Sequence, residues 1–403
     1  MNKFESLKNE NSKQLIEKDS VTIKSLDLKN IKYDENGYLL EGQGIIKENI
    51  VCLRPGHKSG LPVVCAEFKN GKYISHDYGH SGVGYSIMFG TIDQSIENMQ
   101  KLKIDFNTNK QTEITIIGLG CIGLYTALKL HTLGYKNVKI VGEKFEDTPS
   151  QWAGGLLEFS LNSIYKKENI KYLNDIFTTT FNEYKKIYDN KHEILSKGVK
   201  FVDYYTDFYE EGIGLSYLAN VGLIPKIKKV NLKIETNKNL TLNLFHYKTF
   251  HIVTRVFMDH LLEKVKERNI PVEFKKINNF NDIKSEVIFN CTGLGSRELN
   301  NDKEVYPVCG HGFVFKDIKY ADHDYILRLT AVPGLEGKLI GGSLYFMPKT
   351  SGFIGGTYLK DYDGKDDEYN KMQITNLMER SRFLYHGIIS QEKKYHKNMK
   401  PKF

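Results

Sequence analysis

Two hydrophobic periods run through this chain, and the switches between them mark its elements. In TIDQSIENMQKL the apolar residues Ile92, Ile96, Met99 and Leu102 recur at helical spacing, which predicts a helix over 91–102. Short apolar runs at 50–55, 62–68 and 72–75 predict three strands before it. A polar segment, KIDFNTNKQ, has linker character. Beyond it EITII (113–117) reads as a buried strand, and GLGCIG turns directly into the helix LYTALKLHTLG. Gly134 stops that helix before the strand VKIVGE. Such a strand–helix–strand unit of about thirty residues demands a parallel sheet.

The remainder mixes both periods. Helical patterns at YLNDIFTTTFNEYKKIYD and TRVFMDHLLEKVKERN flank the aromatic strand patterns KFVDYYTDFY and LTLNLFHY. EVIFNCTGLG is a strand entering a glycine turn, residues 306–358 are short strands and turns, and a helix is expected over 365–384. The first fifteen residues suggest a helix and 38–46 a weak strand. No internal repeat is present.

Composition narrows the class. The 403 residues are 40% hydrophobic and 26% charged, as in an ordinary globular protein with room for two or three domains. No run of 18 apolar residues suggests a membrane span, and the charged N-terminus lacks a signal-peptide pattern. The net charge of +8 comes from scattered lysines, so no nucleic-acid partner is expected. Cys52, Cys65, Cys121, Cys291 and Cys309 have neither metal-type nor redox-type spacing; no metal site is expected, and a reducing cytoplasm fits.

The chemistry begins at G-x-G-x-x-G. Gly118 permits a tight turn, Gly120 lets backbone approach a pyrophosphate, and Gly123 allows close helix–strand packing. The phosphates would rest on the helix N-terminus, near Cys121 and Ile122. Glu143 stands twenty residues after Gly123, at the end of the second strand, where a carboxylate can bond both ribose hydroxyls; Lys144 follows it. This motif alone does not separate FAD from NAD.

Further residues carry a resemblance. EKFEDTPSQWAGGLLEF, with Ser150, Ala153, Gly154 and Gly155, resembles the flavin-facing stretch of the D-amino-acid oxidase family. EVIFNCTGLGSREL, with Thr292 and Gly293, resembles that family's strand returning under the FAD, and Ile277 matches a position contacting the adenine end. Tyr345-Phe346-Met347-Pro348 matches a strand whose tyrosine holds the substrate carboxylate. The family's later motifs appear upstream instead: Cys52-Leu53-Arg54-Pro55, then the glycine turn His76 to Ser86, then the helix at 91–102. The resemblance therefore implies a circular permutation, joined through KIDFNTNKQ, with new ends in a surface connection after residue 385.

What the resemblance implies is an α/β fold with a Rossmann-like FAD-binding domain and a second, α+β substrate domain. The expected division is 49–160 with 250–305 for FAD, 161–249 with 306–385 for substrate, 1–48 as a lead-in and 386–403 as a basic tail. Arg54 and Tyr345 would bind the substrate carboxylate and the Gly82 carbonyl its amine. The amides of Val83, Gly84, Tyr85 and Ser86 would face the flavin's N1–C2=O edge. The expected reaction passes a hydride to FAD, yields an imino acid that hydrolyses to a 2-oxo acid and ammonia, and reduces oxygen to peroxide. The expected partners are a small amine or amino acid and oxygen, with homodimerisation open.

Some positions depart from the pattern. Gly341 replaces a second tyrosine, Cys309 an arginine, and Ser81 and Val83 a glycine and a tyrosine. Glycine or sarcosine-type oxidation, an amine dehydrogenase, or a flavin-binding scaffold without catalysis remain alternatives. His57, His80 and His311 are further acid–base candidates, while Trp152 and segment 201–218 read as core or pocket wall.

Overall fold

A computed structural model describes residues 19–159, 167–336, 339 and 342–389. In chain order come β1 (Asp19–Ile23), β2 (Ile46–His57), β3 (Val63–Lys69), β4 (Lys72–Tyr78) and α1 (Gly84–Leu102). β5 (Ile114–Ile117), α2 (Cys121–Thr132), β6 (Val138–Gly142) and α3 (Pro149–Trp152) follow. Next are α4 (Ile170–Tyr188), β7 (Val199–Thr206), α5 (Leu215–Asn220), β8 (Lys228–Ile234), β9 (Asn237–Ile252) and α6 (Thr254–Glu267). The last are β10 (Val272–Phe274), β11 (Val287–Asn290), α7 (Ser296–Leu299), β12 (Val305–Phe315), β13 (Tyr325–Leu329), β14 (Leu344–Met347), β15 (Phe353–Gly355), β16 (Leu359–Lys360) and α8 (Asp367–His386).

Two sheets organise these elements. A six-stranded sheet runs β10-β6-β5-β11-β4-β3, parallel throughout except for the edge strand β3. Its central strands are buried on both faces, as expected where helices cover both sides. A ten-stranded mixed sheet runs β1-β8-β9-β7-β13-β14-β15-β12-β16, with β2 also paired to β12. One large core joins the two sheets, and a second lies between the large sheet and α8.

The segment upstream of the fingerprint contributes to both sheets. β4 lies beside β11 in the small sheet, while β2 pairs along β12 in the large one. Residues 49–57, expected in the dinucleotide unit, thus pair in the large sheet: strand partners are set by long-range pairing, which local pattern does not encode. The polar segment 103–111 is pinned by Phe106, fully buried between Tyr135 and Phe289.

The expected strand at 38–46 is not formed. Gly37, Gly42 and Gly44 all take positive φ, so the chain turns there and the strand begins only at Ile46. Residues 24–43 instead strap α8. Leu39 N–H donates to Thr375 Oγ1 at 2.9 Å, Arg382 Nε to the Leu28 carbonyl at 3.0 Å, and Tyr33 O–H to Glu379. Asp366 caps the N-terminus of α8 by accepting from Tyr369 N–H, and Gly387 ends it in the left-handed region. The expected helix in the first fifteen residues, Gly341 and most of the basic tail lie outside the described residues.

Candidate functional site

The dinucleotide turn is built as its sequence demands. A Cβ on Gly118 would lie 2.4 Å from the Cys291 carbonyl oxygen, and one on Gly123 would lie 2.1 Å from the Gly118 carbonyl oxygen. Neither position admits a side chain, so β5, α2 and β11 meet through bare backbone. At the N-terminus of α2 the Cys121 N–H donates to Ser150 Oγ at 3.0 Å. Ser150 is held in turn by its own carbonyl, which accepts from Tyr85 O–H at 2.7 Å. Fingerprint, Ser150 and the first turn of α1 thus converge on one place. The cradle of glycines, amide groups and a hydroxyl at a helix N-terminus fits a pyrophosphate.

Glu143 and Lys144 are exposed just beyond β6, at the C-terminal end of the parallel strands. Ile277 is buried with Ile117, Val141 and Phe280, so its side chain packs and only its backbone is available. Thr292 donates to Asn290 Oδ1 at 2.8 Å, and Gly293 sits against Pro55 of β2. Burial pushes the Cys121 thiol up to about 11, so it packs as a thiol rather than acting as a thiolate.

The carbonyls of Ala153, Gly154 and Gly155 are all engaged. Gly155 accepts from Ile252 N–H at 2.7 Å, Gly154 faces His251 Nε2 at 3.1 Å, and Ala153 accepts from Lys349 Nζ and Thr254 Oγ1. Across from them stands Tyr345: a Cβ on Gly154 would be 3.9 Å from its ring.

Arg54 and Tyr345 meet although 291 residues separate them. Arg54 Nη2 donates to the Tyr345 hydroxyl at 3.2 Å and Nη1 to the Thr357 carbonyl at 3.2 Å, while the Tyr358 ring lies 5.6 Å from the guanidinium carbon. Glycines make this arrangement possible. A Cβ on Gly310 would strike the Arg54 guanidinium at 2.6 Å, one on Gly355 the Tyr345 ring at 2.3 Å, and one on Gly82 Arg54 Cδ at 2.6 Å. Both side chains therefore lie flat on the large sheet, with the Gly82 turn against them. Among the described residues no carboxylate pairs with Arg54, although other half-buried arginines such as Arg328 have one. A permanently charged fork kept partly out of water without a counter-charge is arranged to receive one.

Other expectations change. Val83 N–H donates to the His80 carbonyl and Ser86 N–H to the Val83 carbonyl, so only the Gly84 and Tyr85 amides of that set are left without such bonds among the described residues. The Ser86 hydroxyl donates to the Glu158 carbonyl at 2.6 Å. His311 lies on the opposite sheet face from Arg54, against Thr357 Oγ1 and Asn370 Oδ1, and burial holds it down at about 4. His57 pairs with Asp302 at 3.3 Å and His80 with Asp77 at 3.0 Å, both as buried turn supports. Trp152 stacks under Arg255, 4.1 Å from its guanidinium carbon.

Sequence reading missed Lys349, because a lysine two residues after a strand reads as a solvated surface charge. Burial, reinforced by the nearby Arg255 charge, holds its ammonium down to about 7. The unfolded chain therefore binds the extra proton between about pH 7 and 10.5, and the penalty for burying the charge is largest below 7 and fades as pH rises. Lys349→Met is expected to raise Tm relative to the native protein by several degrees more at about pH 6 than at about pH 9.5. Thermal melts across that range check it, and a pH-independent difference would contradict it.

The family model for FAD dependent oxidoreductases, DAO, matches residues 113–396. A D-amino-acid oxidase of Dictyostelium discoideum is 31% identical over 100 residues, covering 23% of this chain and 28% of that protein. A D-amino acid oxidase of Dugesia ryukyuensis is 25% identical over 126 residues, covering 30% of this chain and 33% of that protein. The matches thus span about a third or less of those relatives. Among solved structures, the L-amino acid deaminase from Proteus vulgaris is 13% identical with a TM-score of 0.40, covering 62% of this chain and 61% of that one.

Proposed function

Since the chain belongs to the DAO family of FAD-dependent oxidoreductases, we propose that it oxidises the C–N bond of a carboxylate-bearing amine, with a D-amino acid as the leading substrate. The observation that carries this reading is Arg54, a half-buried guanidinium that touches Tyr345 and has no carboxylate partner among the described residues. FAD, when bound, would supply the acceptor for a hydride from the carbon bearing the amine, with oxygen as the proposed final electron acceptor, leaving as peroxide. Every other task falls to the chain. Arg54 and the Tyr345 hydroxyl grip the carboxylate, a fork and a point donor that together fix the plane of that group. The Gly82 turn, which its positive φ lets pack directly on Arg54, would offer its carbonyl as the acceptor that orients the amine. Among the described residues Arg54 is hydrogen-bonded to the Tyr345 hydroxyl and the Thr357 carbonyl and to no carboxylate or imidazole, and positioning is the contribution this reading assigns to the chain. The resulting imino acid hydrolyses to a 2-oxo acid and ammonia.

The glycine turn at 118–123, Ser150 and the Ala153–Gly155 backbone would hold FAD, with Glu143 at its ribose. We also propose that the order of the chain is circularly permuted. The family match begins at residue 113 and leaves 1–112 outside, yet Arg54 from that segment lies against Tyr345 and Gly310 within the match, with Gly82 packed on Arg54. Phe106, buried at the joint, supports a fixed connection between the two parts.

The test is anaerobic mixing of the yellow protein with a panel of D- and L-amino acids, glycine, sarcosine and uncarboxylated amines. Bleaching by carboxylated amines only is the expected result. Bleaching by uncarboxylated amines, or by none of the panel, would remove the reading. Readmitting air and measuring peroxide then separates an oxidase from a dehydrogenase.

A further inference from the structure

Tyr345 has a charged neighbour that neither the fingerprint nor the reaction uses. In the β13–β14 pairing it stands directly opposite Arg328, so both side chains leave the large sheet on the same face. Arg328 therefore lies on the Tyr345 face of the sheet, one strand further from Arg54. Its Nη1 donates to Glu158 Oε2, and the other Glu158 oxygen accepts from Tyr204 O–H at 3.1 Å. The side chains of Arg328 and Glu158 are only 24% and 12% exposed, so their charges feel little screening.

Glu158 is held in place from behind. Its N–H donates to Ser86 Oγ at 3.1 Å, and its carbonyl accepts from the same hydroxyl at 2.6 Å. Ser86 opens α1, immediately after the Gly82 turn. The acid is thus delivered by the segment that has just passed Ala153–Gly155 and is pinned by the helix that frames Gly82. Its position is fixed by the site itself.

The charge count then differs across the wall. Arg54 waits for a carboxylate, whereas Arg328 already has one. We propose that Glu158 is the specificity-determining residue of this pocket: by occupying Arg328 it directs the site to amines with a single carboxylate and excludes those whose side chain carries a second. The proposal rests on Arg54 as the carboxylate grip. A dicarboxylate held there would bring its second anion against Glu158, and like charges in a partly dry pocket repel strongly. With that charge gone, the Arg328 fork would accept the second carboxylate in its place.

The test uses the FAD-bound protein and two unreactive probes, propionate and succinate, followed by their perturbation of flavin absorbance. The native protein is expected to bind propionate more tightly than succinate, and the reverse order overturns the proposal without any variant. Glu158→Gln, which keeps an acceptor for Tyr204, is expected to shift the preference toward succinate by about 10- to 100-fold. Adding Arg328→Met to it should return the preference to the native value. An unchanged ratio in Glu158→Gln, or a shift that survives loss of Arg328, overturns the proposal. If propionate binding proves independent of Arg54, the carboxylate-grip reading has failed instead, and the two failures are told apart.

Discussion

Arg54→Met is expected to lower the rate constant for flavin reduction by carboxylated amines, per unit substrate, by about a hundred- to ten-thousandfold. The size follows from losing two charge-assisted hydrogen bonds to a carboxylate, each worth about 1.5–3 kcal/mol in a partly desolvated site. Methionine fills much of the same volume over Gly310, so the site does not collapse into a cavity. The variant should therefore bind FAD and melt at or above the native temperature, because a half-buried cation without a counter-charge has been removed. Arg54→Lys should recover only part of the loss, since an ammonium lacks the planar fork. Tyr345→Phe, which removes one donor, should cost about tenfold. Stopped-flow reduction under nitrogen reads all three. Reduction of Arg54→Met within tenfold of the native rate would show that the carboxylate is held elsewhere.

That Arg54 and Tyr345 meet was legible only through resemblance. Period and spacing give the strands that carry them, but nothing local says that β2 lies in the large sheet or that Gly310 and Gly355 clear the surface on which the two side chains rest. The dinucleotide turn is the opposite case. Its glycines answer steric demands within a few residues, so the sequence alone displays them.

Burial of charged side chains is what local pattern conceals most completely. Glu379, Arg380 and Arg382 are all buried: residues 24–43 wrap Glu379 and Arg382 with no periodic signal of their own, and Arg380 lines a cavity with Ala331, Val332 and Leu335. Glu158 and Arg328 each resemble ordinary surface charges in the sequence. Their meaning appears only when strand register sets Arg328 opposite Tyr345 and Ser86 fixes Glu158. The hydrogen-bond partners Tyr204 of Glu158 and Tyr345 of Arg54 lie 46 and 291 residues away, where local pattern carries no information.

The second large effect is expected at Gly123, where alanine should abolish FAD retention. A methyl group there would sit 2.1 Å from the Gly118 carbonyl oxygen, 3.0 Å from its carbonyl carbon and 3.4 Å from Ile116 Cγ2. The first two contacts are backbone, so no side chain can swing aside. Either α2 lifts away from β5, or the Gly118 turn is forced off the Cys291 backbone against which it is packed. Both movements displace the helix N-terminus from Ser150, which removes the pyrophosphate cradle as well as core packing. Overpacking of this kind costs about 1–3 kcal/mol where side chains relax, and more where backbone must move. The purified variant should be colourless, with a Tm lowered by several degrees even when compared with native apoprotein. Gly120→Ala is the informative contrast: its added methyl would meet only the Ser150 hydroxyl, at 3.0 Å, so the apoprotein should keep its stability while FAD binds more weakly. Flavin absorbance after gel filtration and melts of both apoproteins check the pair. Stoichiometric FAD in Gly123→Ala would mean that α2 and β5 do not meet as closely as the fingerprint requires.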